Sequence, residues 1–266
     1  MIYLLPTMAP FLSEDIDSSN KFTHGSPEDK SMPIAIVGMS FRGPGSASSV
    51  ENLWKMICEK REARTAIPKS RWNNDAFYHP DFERHGTHNV EYGHFFEEDI
   101  SKFDAPFFNM TSTEAAALDP AQRLLLECTY EALENGKIRA IKFLKTYLTL
   151  PIGGIPLEKV VGTKTSVFVG SFATDYTDLL TRDPETVPMY QCTNSGQSRA
   201  MVANRLSYFF DLHGPSVTVD TACSGSLVAL HLACQSLRTG EAKSAIAAGV
   251  NVVLNHEFMI TMSMMK

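Results

Sequence analysis

No pair of cysteines in this chain has C-x-x-C spacing. The five cysteines, Cys58, Cys128, Cys192, Cys223 and Cys234, are scattered and odd in number, which argues against a zinc site. A reduced, intracellular setting in the cytoplasm suits them better. No apolar run approaches the roughly 20 residues that a membrane helix needs. The start, Met1-Ile2-Tyr3-Leu4-Leu5-Pro6, is apolar but has no basic region and is broken by Pro6, so it does not read as a signal peptide, and Met8 is an equally good start. Positive charge is not in excess. Lys and Arg number 24 against 30 Asp and Glu, a net charge of −6, and nothing suggests a nucleic-acid partner.

What is present is ordinary globular composition. The chain has 266 residues, 44% hydrophobic and 20% charged, enough for one large domain or two small ones. Residues 1–31 are rich in Ser, Asp, Glu, Lys and Pro without periodicity, and read as a disordered leader. From Pro33 the character changes. Ile34–Met39 reads as a buried strand, Phe41–Gly45 as a Gly-rich loop, and Ser49 as the N-cap of a helix with Val50, Leu53, Trp54 and Ile57 on one face. The loop lacks the spacing G-x-G-x-x-G, so a dinucleotide site is not supported. Residues 64–110 are irregular and aromatic, an ordered excursion or small subdomain.

Further on, helices and strands alternate. Glu114–Leu133 has helical spacing, with the main helix starting at Asp119-Pro120. Strands are expected at 164–172, 216–220 and 245–254, and helices at 197–209 and 226–238. This order indicates a layered α/β fold with a largely parallel sheet.

One position stands out chemically. Cys223 lies in Val219-Asp220-Thr221-Ala222-Cys223-Ser224-Gly225-Ser226-Leu227, between a short β-branched strand and a long helical pattern. A thiol there lies at the positive end of a helix dipole, beside amides with no partner inside the helix. Both suit a reactive nucleophile. Small neighbours leave room for a substrate and let amides point at an oxyanion. A lone cysteine before a helix is more often a small buried apolar residue, and that alternative stands until other residues are weighed.

The run from Asp220 to His231 resembles the active-site signature of the β-ketoacyl synthase domains of polyketide synthases, which read D-T-A-C-S-S-S at this point. Gly225 stands where the family usually has Ser, a small-for-small change that should be tolerated. Pro33–Met39, Phe103–Phe108, Asp119–Glu127 and Gly214–Ser216 resemble the same family, and the likeness covers about residues 32–136 and 154–266. The short leader leaves no space for the starter-unit domain of fungal non-reducing enzymes, so the resemblance is to the start of a fungal highly reducing type I synthase. It implies a thiolase-like α/β/α/β/α sandwich, of which this sequence holds the N-terminal half, in a multifunctional enzyme of secondary metabolism. The implied reaction is decarboxylative Claisen condensation. An acyl chain passes from an acyl carrier thioester to the cysteine, and the carbanion left when a malonyl carrier loses CO₂ attacks it. On this resemblance Cys223 is the acyl-accepting nucleophile and its backbone amide an oxyanion-hole donor. No cofactor is implied in this chain, since the family's phosphopantetheine is carried by a separate acyl carrier domain.

The family also uses two histidines, in H-G-T-G-T and N-x-G-H contexts, and neither motif occurs in these 266 residues. His231 lies eight residues past Cys223 in one helix, about 12 Å along the axis and out of reach; it reads as a packed helix-face residue. His213 and His256 read as loop residues. His79, His85, His88 and His94 are too irregularly spaced for a metal site. The sequence therefore reads as a truncated ketosynthase, inactive alone in condensation, with an apolar run at Met259–Met265 that should be buried in an intact domain. Poor solubility in isolation follows from so much unpartnered apolar surface. The alternative is a non-catalytic fragment that pairs with an intact synthase.

Residues 137–153 interrupt the family pattern between Glu134-Asn135-Gly136 and Gly154-Ile155-Pro156. They hold Lys137, Arg139, Lys142 and Lys145 and no acidic residue. They fit either a basic surface helix for a partner or a translated intron. For the latter, Gly136-Lys137 allows a GTAAG donor, Leu148-Thr149 a branch-point-like string, and Ile152-Gly153 an AG acceptor.

Overall fold

Thr165–Gly170 forms strand β5, with all six residues buried. A strand covered on both faces reads as a continuous apolar run, and its neighbours are parallel. It pairs in parallel with β6 (Ser216–Val219) on one side and β7 (Ser244–Gly249) on the other. The computed structural model describes residues 1–6, 33–135, 157–172, 175–183, 185 and 196–265. Among them are two further strands of the same sheet, β1 (Ile2–Pro6) and β2 (Ile34–Met39), and the strand order is β2-β1-β7-β5-β6. A separate two-stranded sheet, β3 (Arg64–Ala66) with β4 (Tyr92–His94), belongs to the aromatic excursion.

Helices cover both faces of the large sheet. On one side lie α3 (Pro120–Asn135) and α5 (Arg199–Phe209). Their Leu125, Leu126, Leu133, Val202 and Leu206 pack on Val167, Val169, Ile246 and Ala248. On the other lies α6 (Gly225–Arg238), whose Ala229, Ala233 and Leu237 recur every fourth residue and meet Leu4, Phe168, Ala245 and Ala247. Small alanines bring this helix close to the sheet. The layers are helix, sheet, helix, as expected for one half of the larger sandwich.

The remaining helices are short: α1 (Val50–Cys58), α2 (Ser112–Ala117), α4 (Asp175–Leu180) and α7 (Glu257–Ser263). Ser49 caps α1 as expected, its hydroxyl accepting from the Asn52 amide at 3.1 Å. The apolar stripe of α1 does not reach the core, and Trp54 and Ile57 are 68% and 56% exposed.

The structure departs from the sequence reading at three further places. Residues 2–6, expected in the leader, are a strand. Tyr3 is 5% exposed and faces the α3–α5 side; Leu4 is 1% exposed and faces α6. β1 runs antiparallel to both β2 and β7 and is the one strand of the five so directed. The rest of the expected leader, residues 7–31, lies outside the described residues, as does the basic segment 137–153. β7 stops at Gly249, short of Leu254, where the chain leaves the sheet. His231 is exposed, not packed, because the buried stripe of α6 falls on other positions.

Candidate active site

β6 ends at Val219, whose carbonyl accepts from the Ser171 amide at 3.0 Å. The chain then turns through Asp220 and Thr221, makes one 3₁₀ turn at Ala222–Ser224, and continues into α6. Cys223 sits in that turn, exposed, at the carboxyl edge of the parallel strands. This is the place where open α/β sheets present ligand-facing groups.

Two close backbone approaches fix the helix start. A Cβ on Gly170, the last residue of β5, would lie 2.3 Å from the carbonyl carbon of Gly225, and one on Gly249 would lie 2.5 Å from the Ser226 Cβ. Only glycine fits at either strand end, so the first turn of α6 rests directly on the sheet. A Cβ on Gly225 would stand 3.2 Å from the Gly170 Cα. A serine there needs the neighbouring backbone to shift by a few tenths of an ångström.

The turn itself is tied down by side chains. Asp220 Oδ1 accepts from the Ala222 amide at 3.2 Å, and Asp220 Oδ2 pairs with Arg199 at 2.8 Å. A second amino group of Arg199 donates to the Phe172 carbonyl. Ser224 Oγ donates to the Thr221 carbonyl at 2.8 Å and lies 3.0 Å from Thr221 Oγ1. Ala222 has φ +50°, a left-handed conformation that non-glycine residues rarely adopt. Arg199, which ties Asp220 to Phe172, is the residue of this turn that sequence reading missed. Arg199 lies 21 residues from Asp220 and 27 from Phe172, so no local pattern links them.

The remaining cysteine and histidine candidates fall elsewhere. Cys128 lies partly buried on α3 beside Ser40, and its thiol is pushed up to about 11 by burial, with the Glu131 charge adding to the effect. Such a thiol stays protonated and unreactive. His213 lies in a loop with Asp211 at 3.1 Å, both well exposed. His256 is not a plain loop residue: it is the N-cap of α7 and stacks on Phe77 at 3.5 Å between ring centroids. His88 is fully buried edge-on to Trp72, its Nδ1 accepting from the Val90 amide at 3.3 Å, and burial holds its imidazole below the ordinary range. His79 accepts from the Asp81 amide at 3.1 Å, while His85 and His94 are exposed. Among the described residues no three His, Cys, Asp or Glu side chains are grouped to hold a metal ion, and no helix is long and apolar enough to cross a membrane.

Similarity to known proteins bears on the same turn. The family described as "Beta-ketoacyl synthase, N-terminal domain" matches residues 31–266. The chain is 65% identical over 240 residues to the highly reducing polyketide synthase phiA of a fungal species, covering 90% of this chain and 9% of that one. It is 64% identical over 235 residues to the highly reducing polyketide synthase tstA of Talaromyces stipitatus (88% and 8% covered). Against the reducing polyketide synthase PKS1 of Cochliobolus heterostrophus it is 62% identical over 234 residues (88% and 9%). The chain thus spans under a tenth of these relatives. Among solved structures, the oxazolomycin ketosynthase domain OzmH KS7 of Streptomyces albus JA3453 superposes with a TM-score of 0.71 at 33% identity, over 85% of this chain and 36% of that one. The ketosynthase from module 6 of the bacillaene synthase of Bacillus subtilis 168 superposes with a TM-score of 0.71 at 32% identity, over 86% and 34%.

Proposed function

The chain belongs to the β-ketoacyl synthase family, and on that premise we propose that Cys223 is the nucleophile that accepts an acyl chain from an acyl carrier thioester. The observation that carries this reading is the exposed Cys223 thiol in a side-chain-tied turn at the carboxyl edge of the sheet. In the step, the Cys223 sulfur attacks the thioester carbonyl. A new carbon–sulfur bond forms to Cys223 and the bond to the carrier's phosphopantetheine sulfur breaks. The proton given up by Cys223 ends on the released carrier thiol. The Cys223 amide at the head of α6 stabilises the oxyanion of the intermediate.

Extension of the bound chain asks for more. Decarboxylation of a malonyl unit and stabilisation of its enolate belong to two histidines in motifs not found in these residues. These 266 residues by themselves take up an acyl group and do not lengthen it. Intact-mass measurement after incubation with a short acyl thioester tests this. The expected result is one acyl mass on the wild type and none on Cys223→Ala; no gain on the wild type overturns the proposal.

A second reading concerns partners. Among the described residues β6 is an edge strand of the sheet, with Val217 41% exposed, and such an edge is a template for another strand. We propose that this edge pairs with a second ketosynthase chain, so that the protein joins an intact synthase. Co-purification with a full-length synthase supports it, and a monomer at all concentrations in its presence overturns it.

A further inference from the structure

The residue before the nucleophile is held in a conformation it does not favour by itself. Alanine at φ +50° is strained relative to its extended or right-handed forms. Strain of this kind persists only where the surroundings over-determine it. Here the surroundings can be named. The Ala222 amide is held by Asp220 Oδ1, Asp220 Oδ2 is held by Arg199, and Arg199 is anchored to the Phe172 carbonyl in the loop after β5. One guanidinium thus joins the end of β6, the loop after β5 and the first turn of α5. Arginine suits the place because its planar fork engages two acceptors at once, whereas a lysine offers a single point charge.

We propose that Arg199 is a positioning residue for Cys223: through Asp220 it keeps Ala222 left-handed, and so sets the direction in which the adjacent thiol is presented. The hydrogen bonds of Arg199 among the described residues go to Asp220 and Phe172, not to the thiol. This role rests on the reading of Cys223 as the acyl acceptor, but it concerns backbone geometry and has its own readout.

The distinguishing test uses glycine, which adopts positive φ without strain. If Arg199 acts through the backbone, Ala222→Gly removes the need for the clamp. If Arg199 instead acts by its charge on the thiol or the substrate, glycine changes nothing. Two quantities are measured on the full chain: the rate of acyl transfer to Cys223 from a short acyl thioester, and hydrogen exchange of the 220–224 backbone by mass spectrometry. Arg199→Gln should slow acylation about tenfold and speed exchange at the Ala222 amide by a similar factor. Arg199→Gln combined with Ala222→Gly should recover acylation to within about threefold of wild type. An Arg199→Gln chain that acylates like wild type, or a double variant that is not rescued, overturns the proposal. Should Arg199→Gln fail to fold, Arg199→Lys takes its place: an intermediate rate supports the clamp, and a wild-type rate refutes it. If the wild type takes no acyl group, the assignment of Cys223 falls, and the exchange measurement still decides the clamp. Unchanged exchange in Arg199→Gln then rules it out.

Discussion

Asp119 opens α3, its Oδ1 accepting from the Ala121 amide at 2.8 Å. Burial pushes its carboxyl up to about 6, and the Asp175 charge adds to this. The Ala121 amide and Arg123 pull the other way. A carboxyl whose folded pKa lies above its ordinary value of 3.8 binds its proton more tightly in the folded chain. Its contribution therefore favours folding below about pH 4 and is lost as pH rises to about 6. Asp175 shifts in the same direction, also through burial. Asp119→Asn keeps the oxygen that accepts from Ala121 and removes the titration. Urea midpoints measured from pH 4 to 7 should show the variant gaining on the wild type as pH rises. A difference that is flat with pH would discard the idea. At this scale the proposed nucleophile, Cys223, is legible in the sequence and the side chains that tie its turn are not. Cys223 announces itself because a strand period ends and a helical period begins across a run of small residues. Arg199 has no such signature: its two acceptors come from other elements, and only the folded chain brings them together.

Among the elements, β1 is the instructive one. Its five residues open a polar stretch of about thirty, and averaging over that stretch hides the strand pattern. Tyr3 and Leu4 nonetheless point to opposite faces and are both buried, as successive residues of an inner strand are. Leu4→Ala should cost about 2–5 kcal/mol, the usual range for a fully buried leucine, read from chemical unfolding of the full chain. A loss below about 1 kcal/mol would mean that β1 does not sit between β2 and β7. The helices α3, α5 and α6 are readable because apolar residues repeat at helical spacing in each. The end of β7 is not. Val250, Val252 and Leu254 continue the apolar alternation, yet Val252 and Leu254 pack in a separate cluster with Ile100 and Ala121. The stripe of α1 is a true helical periodicity with no surface to meet among the described residues.

For the whole molecule, layer order and family are both accessible from sequence, since motif and periodicity agree over most of the chain. The identity of residues 137–153 belongs to the gene. The translated-intron proposal expects GT at codon 136 and AG at codons 152–153 in genomic DNA, with a spliced transcript reading Asn135-Gly-Gly154-Ile155. Absence of either dinucleotide ends it. The sheet order also has a temporal meaning. Ile2 lies opposite Ala247, so β1 finds one of its two partners only after the long stretch between them has been made. The pairing is far from local, and such closure is slow. Until β7 arrives, Leu4 has no finished cavity to fill. Between the making of β1 and of β7 the nascent chain therefore carries an open seam, where exposed apolar surface favours self-association.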